Sequence, residues 1–333
     1  MAPIVQAREV HLVERPDGLP RPEQFAVVAR ALPAPRHGEF VIRNRFLSID
    51  PALRPPLSNG MTPLQAPIAS LAIGEVVVSE NRHFPIGAMV VHRLGLRDFA
   101  LSDGEQVDRL EPRPDEPLHW HLGPLGFTGF TAYAGLFDVA RIKPGEIVFV
   151  SAAAGAVGSI AAQIAKRVGC RVIGSAGSPE KCAWLSDVAG LDAVINYRAG
   201  SLRKSLKAAA PDGIDVYFDN VGGEHLDAAL PRMRMHGRVA VCGMISAYNN
   251  KGALSEGVTT LATMMYNRIT MRAFIWQDHL ALWPQFLAAM RGWLASGAIR
   301  AEETIHDGLE AAPEALIGLL TGKNLGKTLV RLD

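Results

Sequence analysis

Apolar and polar positions divide the chain into two textures. Up to about residue 120, strand-length apolar runs such as Glu39–Phe46 (EFVIRNRF), Leu71–Val78 (LAIGEVVV) and Ala88–His92 are broken by Pro, Gly and Asn. That pattern predicts a β-rich region with long loops. From about residue 125 to 295 the texture becomes a regular alternation. Apolar β runs fall at Ile147–Ser151, Arg171–Ser175, Ala193–Asn196, Asp215–Asp219, Arg238–Cys242 and Ile269–Phe274. Helical segments are predicted between them, at Val157–Val168, Pro179–Ala189, Leu202–Ala210, Glu224–Met235 and Val258–Asn267. The β-to-β spacing of about 21 to 31 residues is that of a βαβ crossover. Several runs are apolar at successive positions, as parallel strands covered on both faces require. Six such strands predict an α/β architecture with a doubly wound parallel sheet. After about Ala295 the mixed texture returns and ends in a predicted strand, Thr328–Leu332. This tail is expected to rejoin the first region, because the ends of two-domain chains often lie close together.

Composition narrows the function classes. A chain of 333 residues is comfortable for two domains. Lys plus Arg (34) against Asp plus Glu (33) leaves a net charge of +1. No global field attracts nucleic acid or an anionic membrane. Cys170, Cys182 and Cys242 cannot build a disulfide framework, which points to a reducing, cytoplasmic setting. The start, MAPIVQAREVHLVERPDG, is polar and acid-containing, unlike a secretory or transit segment. No run of 18 apolar residues offers a membrane span.

The sharpest local signal opens the alternating half: Ile147-Val-Phe-Val-Ser-Ala-Ala-Ala-Gly-Ala-Val-Gly158. A buried strand runs into a glycine-bearing turn, and a helix follows. In the G-x-G-x-x-G frame Ala153 takes the first place, with Gly155 and Gly158 in the other two. Gly155 lets backbone approach a pyrophosphate, Gly158 lets helix pack on strand, and the helix start (Ala156, Val157) supplies N–H donors. A G-x-x-G triplet alone is often just a tight turn; its place on the first of six strands is what points to a dinucleotide. NAD sites carry Asp or Glu at the second strand's tip, about 20 residues on. Here the chain reads Val172-Ile-Gly-Ser-Ala-Gly-Ser-Pro-Glu-Lys181, a small, uncharged tip followed by a Ser178–Pro179 helix start. Glu180 comes after the turn, and Lys181 can reach a 2′-phosphate from the first helical turn. The expected cofactor is NADPH, although spacing alone also suits Lys181 as a solvated helix lysine.

With these residues in view, the chain resembles the zinc-independent branch of the medium-chain dehydrogenase/reductase superfamily, which includes prostaglandin and leukotriene reductases, curcumin reductases and alkenal double-bond reductases. The resemblance is carried by Phe46-Leu-Ser-Ile-Asp-Pro51, Gly126-Phe-Thr-Gly-Phe-Thr-Ala-Tyr133, Ala152-Ala-Ala-Gly-Ala-Val-Gly158 and Gly213-Ile-Asp-Val-Tyr-Phe-Asp-Asn-Val-Gly-Gly223. Cys242-Gly-Met-Ile-Ser-Ala-Tyr-Asn249 and Gly322-Lys-Asn-Leu-Gly-Lys-Thr328 extend it to the tail. It implies a GroES-like β domain from residues 1–122 and 300–333 and a Rossmann domain from 123–299. It also implies that Lys181 and Tyr197 line the 2′-phosphate pocket, while Asn220, Cys242, Gly243, Met244, Ile245, Ser246 and Tyr248 follow the ribose and nicotinamide. Phe274, Ile275 and Trp276 would flank the nicotinamide, and Asn324 would touch the cofactor from the tail. Relatives are homodimers pairing Rossmann sheets edge to edge, through the Arg268–Phe274 region here.

No zinc is expected. There is no cysteine before Cys170, and Ile73-Gly74-Glu75 stands where zinc enzymes carry Gly-His-Glu. His119-Trp-His121 looks metal-like but reads better as two surface histidines. Without a Lewis acid, reduction of an alkene conjugated to a carbonyl is easier to arrange than alcohol oxidation. Hydride adds to the β-carbon, and hydrogen-bond donors must meet the enolate oxygen that develops. Tyr248 is the candidate donor or proton relay, against the alternative that it only packs. Two departures bear on the substrate: Ala52 in Asp50-Pro-Ala-Leu-Arg54 replaces a Tyr common in relatives, and Trp276 adds bulk in Ala273-Phe-Ile-Trp-Gln277. The expected substrate is a small-molecule enone or alkenal; a polyketide, terpenoid or aromatic enone each fits the altered pocket. The alternatives are an NADPH:quinone reductase and a non-catalytic NADPH-binding protein.

Overall fold

A computed structural model describes residues 5–250 and 257–332; Met1–Ile4 of the expected non-secretory N-terminus lie outside them. The chain forms two compact units. One runs up to Leu122 and takes Glu303–Asn324 and the end from Thr328; the other is Gly123–Glu302 with Leu325–Lys327.

In the second unit the strands are β1 (Ile147–Val150), β2 (Arg171–Ala176), β3 (Ala193–Asn196), β4 (Ile214–Asp219), β5 (Met233–Val241) and β6 (Thr270–Ala273). They pair parallel in the order β3-β2-β1-β4-β5-β6. The order reverses between β1 and β4, so a crevice opens at the carboxyl ends of these strands, where doubly wound sheets bind ligands. β1 is buried at every position, which explains its unbroken apolar run. Phe149 and Tyr217 stack across β1 and β4 in a core with Ile173, Leu206, Leu226 and Val239.

Two helical expectations need correction. Glu224–Met235 is not one helix: the α-helix is Gly223–Ala229, a 3-10 turn follows at Leu230–Arg232, and Met233 already opens β5. Pro231 has no N–H to continue the ladder and clashes with the preceding turn. The segment from Val258 becomes α-helical only at Ala262.

The first unit is built on Phe40–Ile49, which pairs antiparallel with Ala72–Ser79, Phe99–Ser102 and the tail strand Lys327–Arg331. Met89–His92 and Val107–Arg109 extend the sheet on one side, and Glu303–Asp307 closes the other. Val5–Leu12 and Phe25–Leu32 form a separate antiparallel ribbon. Val10, Leu12, Leu47, Ile49, Leu57, Leu316 and Val330 make this unit's main core.

Candidate functional site

The glycine-bearing turn after β1 is tight and strained at one residue. Ala152 holds a left-handed φ of +47°, and Gly155 N–H donates to its carbonyl at 2.9 Å. The left-handed position therefore falls on Ala152, whereas Ala153, in the first place of the fingerprint, is fully buried. Gly155 caps the helix Ala156–Val168 in an extended conformation. A methyl at Gly158 would lie 2.3 Å from the Ala152 carbonyl oxygen, so only glycine allows this helix–turn approach. The first intrahelical bond runs from Ser159 N–H to Gly155, leaving the N–H groups of Ala156, Val157 and Gly158 ahead of it. Together with the helix dipole these N–H groups make an anion-binding helix start, the kind of cradle that suits a pyrophosphate.

Sequence reasoning missed how the tail braces this turn. Gly326 N–H donates to the Ala154 carbonyl at 2.9 Å, and Lys327 N–H donates to Glu302 at 2.8 Å. Gly326 has φ +66°, and a methyl there would sit 1.7 Å from the Glu302 carbonyl oxygen. The signal lies in the second glycine of Gly322-Lys-Asn-Leu-Gly-Lys327, two residues past Asn324. Asn324 itself is buried and groups with the first unit.

At the β2 tip, Gly177 makes room for Tyr197. A methyl at Gly177 would lie 2.7 Å from the Tyr197 hydroxyl, so the ring closes over this tip and a side chain there would have to displace it. Ser178 caps the next helix by accepting from Lys181 N–H at 3.3 Å, which fixes Lys181 in its first turn. The Lys181 ammonium is half-buried; desolvation, then the charge of Arg198, holds it below the ordinary lysine range. Tyr197 packs edge-on against His225, with ring centres 5.0 Å apart.

Past β4 and β5 the chain forms a second, knitted shelf. Asp219 Oδ1 accepts from the Tyr217 hydroxyl at 2.6 Å, the Ser151 hydroxyl at 3.2 Å, Val221 N–H at 2.9 Å and Gly222 N–H at 2.8 Å. Burial nevertheless pushes the Asp219 carboxyl up, and its Oδ2 has no hydrogen-bond partner among the described residues. Asn220 donates from Nδ2 to the Ser151 carbonyl at 2.7 Å. The Cys242 and Gly243 N–H groups donate to the Asp219 carbonyl at 2.8 and 3.1 Å. Ser246 Oγ donates to Val221 at 2.6 Å. Ser151, Tyr217 and Asp219 thus hold the Asn220 turn and the Cys242–Tyr248 segment together. They were missed because fully buried strand residues read as core.

The likeness to known proteins is whole-length. Prostaglandin reductase 1 of Mus musculus is 40% identical over 337 aligned residues, covering 98% of this chain and all of that one. The chain belongs to the zinc-independent branch of the medium-chain dehydrogenase/reductase family. The 2-alkenal reductase (NADP(+)-dependent) of Nicotiana tabacum is 38% identical, covering 100% of this chain and 99% of its own. The crystal structure of CurA in complex with NADPH from Vibrio vulnificus superposes with a TM-score of 0.92 at 38% identity, covering 98% and 99% of the two chains. Residues 8–110 match the N-terminal domain of oxidoreductase, and residues 156–292 match the family described as zinc-binding dehydrogenase. In family terms the second unit is the Rossmann domain and the first is GroES-like.

The position where zinc enzymes carry Gly-His-Glu is used otherwise here. Glu75 pairs with Arg45 at 2.9 Å and Arg43 at 3.5 Å, and these guanidinium groups hold its carboxyl below the usual range. His119 and His121 correct the surface reading. Their side chains are only 22% and 7% exposed, and they face separate carboxylates, Glu303 and Glu116, each at 3.5 Å. Among the described residues no group of three His, Cys, Asp or Glu is arranged to hold a metal.

Tyr248 follows a short 3-10 turn and is half-buried. A methyl at Gly243 would lie 3.6 Å from its hydroxyl, so Gly243 and Tyr248 face each other. Desolvation pushes the Tyr248 hydroxyl up, with the Met244 backbone pulling the other way. Burial, then the Asp219 charge, pushes the neighbouring Cys242 thiol up to about 12. Phe274 packs edge-on on Phe218 at 6.3 Å, over Gly135, where a methyl would meet both rings at 2.6 Å. Trp276 lies 6.5 Å from Phe127 and 6.4 Å from Phe130, while Ile275 between them is exposed. In the first unit, Ala52 is exposed in a 3-10 turn. Arg54 of the same motif is buried, bonding Ser58 Oγ at 2.7 Å and the Gly18 carbonyl.

Proposed function

We propose that the protein reduces the C=C bond of an α,β-unsaturated ketone or aldehyde with NADPH, without a metal. The observation that carries this reading is the second unit's ligand crevice. A glycine-braced helix start for a pyrophosphate lies beside a β2 tip that excludes a carboxylate and presents Lys181 and Tyr197. The whole-length likeness to a 2-alkenal reductase and to prostaglandin reductase 1 supports the reaction class. The residues present fit the cofactor. Ala153, Gly155, Ala156, Val157 and Gly158 hold the pyrophosphate, and Lys181 and Tyr197 hold the 2′-phosphate. Asn220 and Cys242–Tyr248 hold the nicotinamide side, with Phe274, Ile275 and Trp276 flanking it.

When bound, NADPH supplies the hydride that adds to the β-carbon. The chain's own task is to meet the charge that then develops on the carbonyl oxygen. Tyr248, kept protonated by burial, donates a hydrogen bond to that oxygen. The α-carbon takes its proton from solvent or through the same hydroxyl. The test is NADPH oxidation with an alkenal, an alkenone, a benzoquinone and no acceptor, each repeated with NADH. Saturable enone turnover with NADPH, and far less with NADH, is the expected result. Turnover of the quinone alone makes the protein a quinone reductase; tight binding with no turnover makes it a cofactor-binding protein.

The same proposal makes the enzyme a cytoplasmic homodimer. Its three cysteines are free thiols, as in a reducing compartment. β6 ends the six-stranded sheet, and Met265 and Tyr266 beside it are 70% and 69% exposed. An unpaired edge flanked by apolar side chains suits a two-fold partner. Light scattering after gel filtration should give twice the chain mass, shifting toward one chain mass in Tyr266→Lys. A wild-type monomer would remove the dimer from the proposal.

A further inference from the structure

We infer that Arg198 is a second cation of the 2′-phosphate subsite, carried on the Tyr197 ring beside Lys181, and that it helps set the preference for NADPH over NADH. The inference rests on the NADPH reading above and adds a residue that the sequence pattern did not single out.

The placement follows from what holds Tyr197. Its ring stands edge-on to His225, and His225 Nε2 is hydrogen-bonded to Ser175 Oγ of β2 at 3.1 Å. On the other side Gly177 leaves room for the hydroxyl and for nothing larger than hydrogen at its own α-carbon. The Tyr197 N–H donates to the Ala176 carbonyl at 3.2 Å, tying the β3 exit to the β2 tip. The phenol is therefore a fixed platform. The Arg198 guanidinium carbon lies 5.8 Å from its ring centre, within cation–π range. The Arg198 N–H donates to Asn196 Oδ1 at 3.1 Å, an Asx turn that sets the direction in which the side chain leaves β3.

Arg198 is exposed at the β3 exit, and electrostatics tie it to the Lys181 tip. Desolvation, then the charge of Arg198, holds the Lys181 ammonium down, so the two cations feel each other across the β2 and β3 tips. Among the described residues no carboxylate pairs with the Lys181 ammonium. Two like charges meeting at a half-buried tip repel, and a dianion between them converts that repulsion into two attractions. NADPH brings such a dianion; NADH brings a ribose hydroxyl. The planar guanidinium can also grip a phosphate through two N–H donors, which an ammonium cannot.

The test uses 2′,5′-ADP and 5′-AMP, titrated calorimetrically into the full chain at several salt concentrations. Arg198→Ala should weaken 2′,5′-ADP by about five- to fifteenfold. It should leave 5′-AMP unchanged and flatten the salt dependence. Arg198→Lys, keeping charge but not the fork, should fall between. If Arg198→Ala weakens both nucleotides equally, or neither, the assignment is overturned while the NADPH reading stands. Wild-type protein that binds both nucleotides equally overturns the NADPH reading, and this assignment with it.

Discussion

At the scale of single residues, the site separates charge from chemistry. Lys181 supplies charge. A charge-assisted hydrogen bond of about 1.5–3 kcal/mol means that Lys181→Ala should weaken NADPH by roughly 10- to 150-fold. NADH binding should barely change, and equal losses for both would place Lys181 in folding rather than recognition. Because burial and Arg198 hold its ammonium below the ordinary lysine range, NADPH affinity should fall at a lower alkaline pH than an exposed lysine would dictate. Tyr248 is a matter of chemistry. If its hydroxyl meets the enolate, Tyr248→Phe should cost about 100-fold in kcat with little change in NADPH Kd. Full kcat in that variant would leave the ring as packing alone. Tyr248 was legible because it sits in a stretch that resembles the family, and Lys181 because it falls in the first helical turn after the second strand's tip. Arg198 was not, since its role depends on a neighbouring ring's orientation, which spacing does not carry.

At the scale of elements, legibility followed burial. β1, β2 and β4 read easily because strands covered on both faces are apolar at successive positions. Val5–Leu12 and Phe25–Leu32 were passed over because polar residues interrupt them. Glu9 and His11 are buried as a pair at 2.8 Å, with Arg97 on the other Glu9 oxygen at 3.0 Å, so charge sits where an apolar residue would have marked the strand. The helix read through to Met235 failed for the opposite reason. Leu226, Leu230 and Met233 fall at a helical spacing of i, i+4 and i+7, but Pro231 stops the ladder they imply. The glycine turn is the element on which binding rests most. In Gly158→Ala the added methyl would meet backbone at 2.3 Å, and backbone can yield only by moving the helix start off the cradle. The expected outcome is a lower Tm and loss of both NADPH and NADH binding, read by thermal shift with and without nucleotide. A variant that keeps wild-type Kd for both would mean that the helix–turn approach is loose enough to admit a methyl.

At the scale of the whole molecule, two buried histidines tie stability to pH, one in each unit. In the first, His92 Nδ1 accepts from Leu94 N–H at 3.1 Å, so Nε2 carries the proton and donates to Asn44 Oδ1 at 2.7 Å. Burial, then the charge of Arg97, lowers its pKa from 6.5 to about 3. In the second, His225 is bonded to Ser175 and packed on Tyr197, and burial lowers it from 6.5 to about 4. Above pH 6.5 both are neutral whether folded or not, and neither affects stability. As pH falls below 6.5 the unfolded chain takes the protons first, so stability is lost, by about 1.4 kcal/mol per pH unit for each histidine. The carboxylates act lower: Glu75 and Asp192, whose pKa values are depressed, lose their contributions only below the usual carboxylate range. Asp219 is raised, so its protonation on folding works the other way. The histidines contribute in the interval from pH 6.5 down to about 5, and comparison with a histidine variant cancels the Asp219 contribution common to both proteins. Urea unfolding across that interval should show a fall in stability that His92→Gln, which keeps a donor for Asn44, makes shallower by about 1.4 kcal/mol per pH unit. If the two units unfold as one, both histidines contribute to a single transition; if they unfold separately, His92→Gln changes only one of two. A pH slope that His92→Gln leaves intact would show that this imidazole is solvated, and that the Asn44–His92 bond does not survive in solution.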